Sequence, residues 1–129
     1  MPKIKIHVSS NNASNGVLSV RVTPWRVHLD KDDTATWELD GGQPTKNDIL
    51  WFRVEQIDSD RPWPFLPPEP PDSIYTGQKS NGYTVTSPKK NNNANPNGAV
   101  IRYGLTICFN DDGGRKRIMY IDPDMVIDS

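Results

Sequence analysis

Val100-Ile101-Arg102-Tyr103-Gly104-Leu105-Thr106-Ile107-Cys108-Phe109 alternates through its whole length, with Ile101, Tyr103, Leu105, Ile107 and Phe109 on one parity. Successive side chains of a strand point to opposite faces, so this period reads as a long strand with one buried face. The chain then runs into Asn110-Asp111-Asp112-Gly113-Gly114, a hairpin turn by composition. Residues 117–121 pair back. Asp122-Pro123-Asp124 bends the chain into a last short strand at 125–127.

The same period recurs upstream. Ile4, Ile6 and Val8 alternate with Lys3, Lys5 and His7, and Leu18, Val20 and Val22 alternate with Ser19 and Arg21. Thr23-Pro24-Trp25 breaks the second strand, because proline donates nothing to a ladder. Val27 and Leu29 start a short third strand, closed by Asp30-Lys31-Asp32-Asp33. Ala35, Trp37 and Leu39 face one side of the next. Residues 49–57 form a longer strand with Leu50, Phe52 and Val54 as its buried row, leaving Trp51 on the other face to cap a sheet edge. Sheet resumes at 83–86. Seven to nine short strands with turn signals between them predict an all-β, Greek-key, two-sheet sandwich of cupredoxin-like or immunoglobulin-like type.

Two stretches interrupt the pattern. Residues 61–72 include Arg61-Pro62-Trp63-Pro64-Phe65-Leu66-Pro67-Pro68, too rich in proline for anything but polyproline II or irregular loop. They read as an insertion inside one domain, 1–129, since strong strands lie on both sides. Residues 87–98 are polar and asparagine-rich, and read as a mobile loop.

A chain of 129 residues is near the usual size of one domain and folds without staples. The net charge of −1 speaks against nucleic acid as a partner. Arg115-Lys116-Arg117 reads as the solvated side of a turn. One cysteine excludes an intramolecular disulfide, and no apolar run is long enough for a signal core or a membrane span. These features point to the cytoplasm.

The stretch Val22-Thr23-Pro24-Trp25-Arg26-Val27-His28-Leu29-Asp30-Lys31-Asp32-Asp33-Thr34-Ala35-Thr36-Trp37 resembles the opening of a cupredoxin. In that family an early strand, a proline kink and a short strand lead to an acidic turn and a Val-x-Trp strand. The ending is similar too: a long strand with an aromatic near its start, a hairpin and a closing strand. The resemblance covers roughly residues 17–39 and 103–127 and implies the fold. It does not carry the copper. A blue-copper site takes two histidines, a cysteine and a weak axial methionine. Residues 40–51, where the family places one histidine, hold none, and 109–117 offer none beside Cys108, so Met119 completes no site. No cofactor is expected, and Cys108 reads as a small core residue.

His7 and His28 alternate with apolar neighbours and are expected to face solvent, away from any nucleophile they could activate. Asp30, Asp32 and Asp33, Asp111 and Asp112, and Asp122 and Asp124 mark three acidic turns. Were turns to meet at one end, Asp30, Asp32, Asp111 and Asp112 would form a calcium site; turn chemistry alone also explains them. The proline-rich segment presents Trp63, Phe65 and Leu66 either as a lid on the core or as anchors for a protein partner. The expectation is therefore a non-catalytic binding or accessory module acting through protein contacts, of the copper-free cupredoxin-like kind that bacteria use. The alternative is a ligand- or carbohydrate-binding sandwich that stacks sugars on exposed tryptophans.

Overall fold

Period-two patterning becomes ten strands among the residues that the computed structural model describes: 2–8, 19–41, 49–57, 60–66, 74–111 and 113–128. They are β1 (Lys3–Val8), β2 (Val20–Thr23), β3 (Arg26–Leu29), β4 (Thr36–Gly41), β5 (Ile49–Gln56), β6 (Tyr75–Gln78), β7 (Thr84–Thr86), β8 (Val100–Asn110), β9 (Lys116–Ile121) and β10 (Asp124–Ile127). Among the described residues the one helical element is a 3-10 turn, Lys79–Asn81. A four-stranded sheet has the order β2-β1-β4-β7. A six-stranded sheet has the order β3-β10-β8-β5-β6, with β9 also on β8. Two stacked sheets with a shared interior make an all-β sandwich.

The chain changes sheets at Thr23–Pro24, whose peptide is cis, so β2 and β3 belong to different layers. β1 and β4 are parallel, as are β3 and β10; the other pairings are antiparallel. β8 is the spine of its sheet. β5 runs along one side, and β9 followed by β10 along the other. Leu105 pairs with Ile121 and Arg102 with Asp124, which is one unbroken register. Pro123 interrupts the strand and not the alignment, for its carbonyl still accepts from the Tyr103 amide at 3.0 Å.

Inward parity builds the core. Ile4, Ile6, Trp37, Leu39, Phe52, Val54, Ile101, Tyr103, Leu105, Ile107, Phe109, Met125 and Ile127 are all buried. Residue 50 is a correction. A register shift between Ile49 and Trp51 makes Ile49 the buried side chain and leaves Leu50 half-buried, because a bulge sets two residues against one partner. Trp51 does lie on the outward face, but β5 sits between β8 and β6, so it caps no edge.

The core is most aromatic beside the proline-rich segment. Trp37 lies 5.6 Å from Tyr103 and 5.9 Å from Tyr75 between ring centres, and Trp63 lies 5.9 Å from both Phe65 and Tyr75. Each tryptophan donates its indole N–H to a phenol: Trp37 to Tyr103 at 3.1 Å and Trp63 to Tyr75 at 2.8 Å. Four large amphipathic side chains are thus buried with these polar groups satisfied.

Candidate protein-interaction face

The proline-rich segment is core where it is described. Trp63 is 1% exposed and Phe65 is fully buried, while Leu66 is 46% exposed. Of the three expected anchors, only Leu66 reaches solvent, and the exposed-anchor reading of Trp63 and Phe65 is corrected. The segment belongs to neither sheet, but Phe65 makes an isolated antiparallel bridge with Lys90, and its backbone groups find their partners there. Leu66 N–H donates to the Lys89 carbonyl, Asn91 N–H to Pro64, and the Asn95 amide to Pro62. The partners belong to residues 87–98, which also bond the strands: Ser87 N–H bonds Ala35, Lys90 N–H bonds Asp33, and Gly98 N–H bonds Ile127. Residues 67–72 of the insertion lie outside the described residues.

The acidic turns do not converge. Asp30 follows β3 and sits beside the start of β8, since Leu29 pairs with Ile127 and Val126 with Val100. Asp111 follows the far end of β8, roughly 35 Å away along an eleven-residue strand. Asp33 accepts from the Asp30 amide at 2.8 Å, and Asp32 accepts from the Asn92 amide at 2.8 Å. Asp111 accepts from the Gly113 and Arg115 amides and from the Arg117 guanidinium, each at 2.9 Å. The Arg115 amide first, then Arg117, hold its carboxyl below the usual range. These contacts are turn chemistry, and the four-aspartate calcium site is not assembled; Asp112 lies outside the described residues. No cluster of three or more metal-ligating side chains occurs among the described residues.

The histidines face outward on opposite sheets. His7 lies 3.3 Å from Asp40, and His28 lies 3.0 Å from Asp128. Cys108 is buried at 4% exposure but stands outside the core cluster, on the outward row of β8. His28 is near the start of β8 and Cys108 near its end, roughly 26 Å apart along the strand, so they form no nucleophile and base pair. Among the four tryptophans only Trp25 is exposed.

What sequence reading missed is the outward face of the six-stranded sheet. Trp51, Cys108 and Ile118 form one cross-strand row, and Arg53, Thr106 and Tyr120 the next. Ile118 is 68% and Tyr120 52% exposed. The Arg53 guanidinium lies 4.8 Å from the centre of Trp51. A Cβ on Gly104 would stand 2.7 Å from the Ile57 methyl and 3.1 Å from the Tyr120 ring. Ile57 and Tyr120 therefore close over the bare backbone of β8. Burial, then the Asp122 and Glu55 carboxylates, raise the Tyr120 phenol above its ordinary value. The signal was available in Ile118-Met119-Tyr120-Ile121, which is apolar on both parities where a half-solvated strand is apolar on one.

The outward face of the other sheet is charged, with Glu38 2.8 Å from Lys5 and 3.8 Å from Lys3. No helix among the described residues is long and apolar enough to cross a membrane. No protein-family model matches the sequence, and no curated protein matches it.

Proposed function

We propose that this chain is a non-catalytic binding module that acts through protein contacts, and that the outward face of the six-stranded sheet is its contact surface. The observation that carries the reading is the exposed pair Ile118 and Tyr120 on β9, with Trp51 on the same face two strands away, on a sheet whose counterpart presents Lys3 and Lys5 paired with Glu38. Exposed apolar side chains grouped on one face mark interaction sites, and tyrosine and tryptophan are enriched in them. The arrangement further supports a cupredoxin-like domain that has kept the scaffold without the copper ligands. The proline kink moves the chain between sheets, the acidic turn precedes the Trp37 strand, and the long hairpin closes the second sheet. The carbohydrate reading has less support, since Trp37 and Trp63 are buried, Trp51 is half-buried and only Trp25 is exposed.

Ile118→Lys tests the proposal. Ile118 is largely exposed, so stability changes by about 0.5 kcal/mol or less. A protein captured by the wild-type chain from its native host is released by Ile118→Lys and retained by Leu66→Ala. Equal capture by wild type and Ile118→Lys, or glycan-array binding that depends on Trp25, contradicts the reading.

A further inference from the structure

Sheet edges expose unpaired backbone groups, and β9 is the longest edge the described residues leave open. β2, β3 and β6 each have four residues and β7 has three, against six in β9. Among the described residues β9 pairs with β8 alone. Tyr103 N–H bonds the Pro123 carbonyl and Asp111 N–H the Arg115 carbonyl, so odd-numbered residues of this strand turn their backbone toward β8. The backbone groups of Lys116, Ile118, Tyr120 and Asp122 consequently point away from it. The open stretch has two stops. The turn at 111–115 bounds one end. At the other, Trp25 accepts from the Asp124 amide, where β3 begins to cover the strand.

We infer that this edge binds the same edge of a second copy of the chain, antiparallel, about a two-fold axis at Met119. The inference rests on the reading of this sheet as a contact surface and names its partner. Three observations fix the register. The open stretch, 116–122, is centred on residue 119. The outward-pointing backbone groups are on even residues, and an axis at Met119 pairs even with even. On the outward face that axis sets Lys116 opposite Asp122 of the second copy and Ile118 opposite its Tyr120, each twice. Shifting the axis one residue toward Tyr120 would put Ile118 against Asp122, and one residue toward Ile118 would put Lys116 against Tyr120. Opposite-charge and apolar cross-strand pairs stabilise a sheet, and mismatched ones do not. The two six-stranded sheets become one continuous sheet, and each apolar row gains a neighbour.

Sedimentation equilibrium and a register-specific cross-link on the full chain test the inference. The wild-type chain sediments with twice its monomer mass at high concentration and dissociates on dilution. Lys116→Asp weakens the dimer about tenfold, because each dimer contains two such pairs. The double variant Lys116→Asp/Asp122→Lys recovers it, since the swapped charges again face each other across the axis. Met119→Cys oxidises to a covalent dimer, because a non-hydrogen-bonded antiparallel pair places Cα atoms about 4.5 Å apart, within disulfide reach. Ile121→Cys does not, being opposite Arg117 of the second copy. A chain that stays monomeric up to millimolar concentration overturns the inference, as does equal cross-linking at 119 and 121 or a double variant no better than the single. The variants at 119 and 121 avoid the exposed Asp122–Arg102 ion pair, so a charge variant that misfolds does not decide the outcome. A monomer that still loses a captured protein on Ile118→Lys would end the dimer and leave the proposed function standing.

Discussion

Replacing Trp63 by alanine lowers the unfolding free energy by about 3–5 kcal/mol, read as a shift of the urea midpoint with an unchanged slope. Trp63 is 1% exposed, its ring packs against Phe65 and Tyr75, and its indole N–H donates to the Tyr75 hydroxyl. Truncation removes the largest side chain of the segment, and Phe65 and Tyr75 can close only part of the cavity while Trp37 holds both from behind. Leu66→Ala, one position beyond Phe65 and half-exposed, changes stability by about 0.5 kcal/mol or less. A Trp63→Ala variant as stable as wild type would place the proline-rich segment off the core.

Stability falls steeply between about pH 10 and 12. Burial, opposed in part by the hydrogen bond from Trp63, pushes the Tyr75 phenol up to about 12. Tyr103 is raised by burial as well. Both folded values lie above the ordinary phenol value near 10, so the folded state keeps its protons while the unfolded chain gives them up. The contribution is therefore complete below about pH 10 and is lost as pH rises toward the folded value. Tyr75 alone accounts for up to about 2–3 kcal/mol. Urea midpoints across this range should drop for wild type and drop less for Tyr75→Phe. An identical alkaline slope in that variant would mean that the phenol is ionised in the folded protein.

The β8–β9 hairpin was readable because its alternation is long and its turn residues are strong. The first strands were readable for the same reason. β6 was not, and the cause is visible in Tyr75-Thr76-Gly77-Gln78. Its inward parity carries Gly77, and the Phe52 ring fills the place where a Cβ would stand. The core there is continuous although the sequence shows an apolar gap. Residue 50 was misplaced because a bulge adds one residue, which period-two counting cannot anticipate. The proline-rich segment was recognised as lying outside the two sheets, but not that Phe65 would make one antiparallel bridge with Lys90. Whether its aromatics turn in or out depends on partners that are distant in sequence, the Tyr75 hydroxyl and the backbone of 89–91. The contact face was missed for a different reason. Each of its rows takes one residue from β5, one from β8 and one from β9, so it exists only once the register does.

β9 lies on β8, and its other side is the edge proposed to meet a partner. Residue-resolved amide exchange on the dilute chain tests this most directly. Met119 and Ile121 should exchange slowly, because their N–H groups face β8, and Ile118 and Tyr120 should exchange fast. Slow exchange at Ile118 and Tyr120 that does not change with chain concentration would contradict the account, for it would mean that another segment of the same chain already occupies the edge.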